Sequence, residues 1–232
     1  MNITNTNHTP PQPIQDSGLP DGSVPDGNVN EMHGFSRKLA EEHGINGAII
    51  LRYLANRIPS AQAHSNADPG YPMTSRQMAE VHPYVCSGTI ADGLAKFRKD
   101  GVLKAKNYIK SKFDRTLWYS FANDQAHRDA AAKEIQFKVT NAIRYGVVEA
   151  VLLERLNNTW QRLSAPFLAK TIPVSSSTIR RALENLVEHG DVERQKCPGF
   201  DQSFQYRLLD KSGLKGPTAS TTTRSTTQPT GI

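Results

Sequence analysis

Apolar residues recur at helical spacing through Ile45, Ala48, Ile49, Leu51 and Leu54, a broad stripe that predicts an amphipathic helix. Thr74 or Ser75 can cap a second helix carrying Met78, Ala79 and Val81, and Pro83 then interrupts the chain. Ser87 can cap a third helix with Ile90, Leu94 and Phe97 on one face, and Asp100-Gly101 ends it with a residue able to take positive φ. Strands are expected from Val102 to Ile109 and from Arg115 to Phe121, joined through 110–114. A similar series follows. Ser175, Ser176 or Ser177 caps a helix with Ile179, Leu183 and Leu186, ended by His189-Gly190. Strands are expected around Val192 to Gln195 and Ser203 to Leu209, joined across Pro198-Gly199. Between the two series, residues 123–142, with Ala130-Ala131-Ala132 and mixed charge, predict one connecting helix.

The two series are the same series. His43-Gly44-Ile45 through Asn56 aligns with Tyr145-Gly146-Val147 through Asn158, with Gly, Ala, Leu, Leu and Asn in register. Pro83, Thr89-Ile90, Leu94, Phe97 and Gly101 match Pro173, Thr178-Ile179, Leu183, Leu186 and Gly190. Asp114 to Tyr119 matches Asp201 to Tyr206. Three blocks recurring in one order, the last of them strand-like, indicate an internal repeat.

Composition adds the boundaries. Residues 1–30 are rich in Pro, Asn and Asp-Gly, and residues 211–232 run into Thr221-Thr222-Thr223-Arg224-Ser225-Thr226-Thr227. Neither stretch holds enough apolar surface to offset its ordering entropy, so both are expected to be disordered tails. The expected layout is therefore a tail at 1–30, a first domain at 31–122, a connecting helix at 123–142, a second domain at 143–210 and a tail at 211–232. The longest apolar run, Val147 to Leu153, carries Glu149 and is far too short for a membrane span. The start, Met1-Asn2-Ile3-Thr4, lacks the basic and apolar regions of a secretory signal. Cys86 and Cys197 are far apart and lack metal or redox spacing, so a reduced cytoplasmic protein is expected. Cys86 itself reads as a buried, inert thiol.

Helix, helix–turn–helix, then hairpin is the winged-helix order. The expected fold class is mainly α with small β-hairpin wings, as tandem winged helix–turn–helix domains. The third helix of such a unit fits the major groove, and its outward residues meet base edges. In the second copy these are Ser177, Arg181, Glu184, Asn185 and Glu188, with Arg180 adjacent and Lys196 on the hairpin. An arginine can bond guanine O6 and N7, and an asparagine can bond adenine. Ser175, Ser176 and Thr178 stand at the helix start, where hydroxyls and free N–H groups can receive phosphate. In the first copy the outward set is Gly88, Asp92, Ala95, Lys96 and Lys99, with Tyr84, Ser87 and Thr89 at the helix entry. The charge of +6 is unevenly spread. Between Tyr71 and Ala122 stand nine basic and four acidic residues, including Lys110, Lys112 and Arg115 on the hairpin; between Pro166 and Leu209 the balance is six to five. Phosphate contact is therefore expected mainly from the first copy. Trp118 or Tyr119 can stack on bases, although at least one is expected in the core; Trp160 and His82 read as packing and turn residues. Walker, dinucleotide-binding, Gly-x-Ser-x-Gly and His-Glu-x-x-His patterns are missing, so no enzyme activity, cofactor or metal is expected.

Leu39-Ala40, Gly44-Ile45-Asn46-Gly47-Ala48-Ile49, Ser87-Gly88-Thr89-Ile90 and the run Asn107 to Tyr119 together resemble a known module. It is the helix–turn–helix unit near the N-terminus of phage replication proteins of the replisome-organiser type. The resemblance covers about residues 36–122 and implies origin binding with recruitment of a replicative helicase or its loader. A second winged helix here stands where that family would place its helicase- or loader-interacting region. In that respect the chain is similar in architecture to plasmid replication initiators, which bind repeated origin sites. The expectation is a double-stranded DNA-binding replication initiator of a phage or plasmid, at the nucleoid of a bacterial host, with no membrane partner and with homodimerisation left open. The alternatives are an operator-binding transcriptional regulator and an adaptor whose second domain binds protein.

Overall fold

A computed structural model of the chain describes residues 31–58, 70–108, 116–197, 199 and 204–209. The folded part opens with a strand that the apolar pattern did not reveal, β1 (Met32–Phe35). Ser36 ends it and caps α1 (Arg37–Arg57), its Oγ accepting the Leu39 N–H. Gly44 has φ 76°, so α1 is two helical segments joined at a kink. Then come β2 (Tyr71–Met73), α2 (Ser75–Val81), α3 (Ser87–Lys99), β3 (Leu103–Lys106) and β4 (Leu117–Phe121). Thr74 caps α2 in a reciprocal arrangement with Gln77. The N-cap of α3 is Cys86, without a side-chain cap bond, rather than the expected Ser87, which is the first helical residue.

Residues 123–142 do not form one connecting helix. They form α4 (Asp124–Ala131), β5 (Ile135–Lys138) and the start of α5 (Val139–Tyr145). Ile135 and Phe137 are buried while Gln136 is exposed, so this stretch alternates with the two-residue period of a strand. After α5 follow α6 (Val147–Leu153), β6 (Gln161–Arg162), α7 (Ala165–Ala169), α8 (Ser176–Glu188), β7 (Val192–Lys196) and β8 (Phe204–Leu208). Ser175 caps α8 by accepting the Thr178 N–H at 3.2 Å.

The same order thus occurs twice. Strand, kinked helix, strand, two helices and two strands run from β1 to β4 and again from β5 to β8. Gly146, with φ 105°, separates α5 from α6 where Gly44 kinks α1. Each copy closes a three-stranded antiparallel sheet with its last strand in the middle, β2-β4-β3 and β6-β8-β7. The architecture is mixed helix and sheet, 52% helical and 21% strand among the described residues, richer in strand than expected. β1 and β5 pair with each other antiparallel, and Gly34 faces Gln136. By the equivalence of Gly44 with Gly146, Gly34 and Gln136 are also equivalent positions. A local twofold axis therefore passes through that pair.

The buried apolar residues of both copies join in one continuous core. Ile90, Leu94 and Phe97 turn α3 toward α1, and Ile179, Leu183 and Leu186 turn α8 toward α6; all six are at most 3% exposed. Each fully buried side chain of this size contributes roughly 1.5–3 kcal/mol. Phe35, Phe121 and Phe137 extend the core toward the sheets. α4 folds back along α1, where His127 Nε2 donates to the Ile58 carbonyl at 2.7 Å and Lys38 pairs with Asp129 at 2.6 Å. No helix among the described residues is long and apolar enough to cross a membrane.

Candidate nucleic-acid interface

The buried triplets fix which way α3 and α8 face. Opposite Ile90, Leu94 and Phe97 lies a ridge of Gly88, Asp92, Ala95 and Lys99, all exposed. The matching ridge of α8 is Ser177, Arg181, Glu184 and Glu188, also exposed, with exposed Arg180 beside it.

Two expected reading residues lie off the ridges. Lys96 turns toward α1, donating to His43 Nδ1 at 3.2 Å and pairing with Asp100 at 3.1 Å. Burial, and then the Lys96 charge, hold His43 below its ordinary pKa, so a neutral ring accepts that bond. Asn185, at the equivalent position, is half-buried and donates to Glu149 of α6 at 3.2 Å. The reason is the same in both copies: one step round the helix from the ridge, the side chain meets the preceding kinked helix.

The two helix entries differ. α3 begins without a side-chain cap, Gly88 stands in open space, and Ser87 is exposed, so its first N–H groups are approachable by phosphate. The hydroxyls of Ser175, Ser177 and Thr178 at the start of α8 bond one another at 2.8 Å, with Ser176 half-buried beside them. Thr89 is half-buried, and its hydroxyl meets Cys86 Sγ at 2.9 Å. Cys86 is exposed, not buried as expected, because the N-cap position projects from the turn; the Thr89 hydroxyl lowers its thiol pKa. Tyr84 is half-buried and turned inward, its hydroxyl held between His33 Nδ1 at 2.6 Å and His82 Nδ1 at 3.1 Å. It therefore joins the turn before α3 to β1 rather than projecting as an entry contact.

The hairpins carry the rest. Lys104 and Lys106 are exposed on β3, and Lys196 is exposed on β7. The expected contacts Lys110, Lys112 and Arg115 lie outside the described residues. Tyr119 is buried in the central strand, while Trp118 is half-buried with Tyr108 against its edge at 5.8 Å. Trp160 packs under the Arg207 guanidinium. An open groove of about 660 Å³ runs between the copies. It is lined by the kink residues Gly44, Ile45 and Asn46, by Val147 and Val148, the counterparts of the latter two, and by Asp92 and Lys96 of α3. A scan against protein-family models and a search of curated proteins each found no match to this chain.

Proposed function

We propose that the chain is a double-stranded DNA-binding protein built from tandem winged helix–turn–helix units, acting as a replication initiator at a phage or plasmid origin in a bacterial cell. It acts by binding and not by catalysis. The observation that carries this reading is the recurrence of one order of elements, each time with a helix whose exposed ridge follows a shorter helix and a turn and precedes a hairpin. The basic surplus of the first hairpin supports phosphate contact there, and Arg181 supports base reading by the second unit. The twofold axis between β1 and β5 supports a site made of two different half-sites in inverted orientation, since the two ridges share only their frame. A replicative helicase or its loader is the further partner. An operator-binding regulator would use the same surfaces; location of the bound sites at an origin or at a promoter separates the two.

A second reading draws on the α8 ridge itself. Glu184 and Glu188 are exposed there, and like charge beside phosphate is unfavourable. In that reading the second copy docks a protein and only the first meets DNA.

Arg181→Ala distinguishes them. The expected loss on the selected site is about 1–3 kcal/mol, roughly five- to 150-fold, with little loss on random duplex. Equal loss on both, measured by fluorescence anisotropy, would remove base reading from α8. The double variant Lys110→Ala, Lys112→Ala is expected to weaken binding to all duplexes and to lower the slope of log K against log salt by up to about two. An unchanged slope takes the hairpin out of the footprint.

A further inference from the structure

We propose that the first copy also holds a small phosphate-bearing anion, of about nucleotide size, in a cavity away from α3. The cavity, about 400 Å³, lies between α1, β1 and the segment entering β5. It uses the α1 face carrying Ile49, Arg52, Tyr53 and Asn56, whereas the groove between the copies uses Asn46, Gly47 and Ile50. This volume is in the range of small-ligand sites.

Its charge is one-sided. Arg52, Arg57 and Lys133 line it, and among the described lining residues Glu31 supplies the one carboxylate. That carboxylate already pairs with His33 Nε2 at 3.0 Å. Each cation is held by a different packed neighbour. The Arg52 guanidinium donates to the Ala131 carbonyl. The Arg57 guanidinium lies over the Tyr53 ring, 5.4 Å from its centroid. The Lys133 stem lies against Gly34, where a Cβ would come within 2.6 Å of its Cγ. Side chains ordered in advance lose less entropy on binding, and guanidinium groups match phosphate oxygens in pairs.

The repeat does not carry this set over: α6 ends at Leu153, Glu154 and Thr159 stand beyond it at the positions of Arg52 and Arg57, and Ile135 stands where the first copy has His33. The cation set therefore belongs to the first copy. A bound anion would join α1 to the segment leading into β5, the strand that ties one copy to the other. The site stands apart from duplex binding and does not rest on it.

The test uses the full chain at constant ionic strength, titrated with inorganic phosphate, pyrophosphate and ATP by calorimetry. Saturable binding of pyrophosphate or ATP is expected. Arg57→Gln with Lys133→Gln should weaken it roughly tenfold or more, and Arg76→Gln, outside the cavity, should leave it unchanged. The imidazole resonances of His33 in the wild-type protein should shift to saturation along the same isotherm, which keeps the test open if the double variant fails to fold. No saturable binding, equal weakening by Arg76→Gln, or a silent His33 would overturn the proposal. So would displacement of the anion by a short duplex, which would assign these cations to the nucleic-acid backbone.

Discussion

Replacing Phe97 with alanine is expected to cost the fold roughly 3–5 kcal/mol, the range for truncating a buried phenylalanine. Phe97 is 1% exposed and joins α3 to α1. Its ring meets His43 edge-on at 5.2 Å and fills the space left by two glycines: a Cβ on Gly47 would come within 3.3 Å of it, and one on Gly93 within 3.6 Å. Those small residues bring the helices close enough that only a large ring fills the gap. Alanine would leave a cavity that backbone-to-backbone packing cannot close. The consequence reaches the exposed ridge, because Asp92 and Lys99 keep their direction only while α3 is pinned. Urea unfolding of Phe97→Ala measures the loss directly. A loss below about 1 kcal/mol would mean that α3 does not pack as described.

Acid is expected to weaken the protein through one buried ring. His82 is 4% exposed, lies edge-on to Tyr53 at 5.0 Å and to His33 at 5.2 Å, and faces the Tyr84 hydroxyl. Burial first, and the neighbouring His33 second, push its pKa down to about 3. In the unfolded chain a histidine titrates near 6.5. Between those values the unfolded state binds the extra proton and the folded state does not. Above about pH 6.5 both states hold the ring neutral and its burial carries no protonation cost, and stability falls as pH drops through the interval. The slope approaches about 1.4 kcal/mol per pH unit and reaches about 3 kcal/mol by pH 4. His82→Gln removes this titration while keeping a polar partner for Tyr84. The difference in unfolding free energy between wild type and variant, followed from pH 7 to pH 4, should shrink by that amount. A constant difference would show that His82 charges in the folded state as readily as in the unfolded one.

Local chemistry was readable from the sequence wherever a residue acts on its near neighbours. Thr74 and Ser175 cap as expected, and Gly101 and Gly190 end their helices at φ 71° and 66°. The apolar triplets of α3 and α8 gave the buried faces and hence the ridges. Pairing across long sequence distances was not readable. β1, β2, β5 and β6 are two to four residues long, and their partners lie far along the chain, as Tyr71 lies from Tyr119. Ile135 and Phe137 alternate too briefly to overcome the helical appearance of the alanines before them. Helical angle points both Lys96 and Asn185 outward; Lys96 is exposed while leaning onto His43, and Asn185 is half-buried against Glu149, because the angle alone cannot show which flank meets another helix. Residue type alone points Cys86 to the interior, but its place before α3 exposes it. The basic residues of the first hairpin tip lie outside the described residues, so their part in binding rests on their position between β3 and β4.

Selection of bound sequences from a random duplex library, using the full chain at low salt, tests the duplicated DNA-gripping unit most directly. The enriched site should contain two different blocks facing each other in inverted orientation, and Arg181→Ala should relax selection in one block only. Recovery of no enriched sequence, together with no retention of any duplex at low salt, would contradict it.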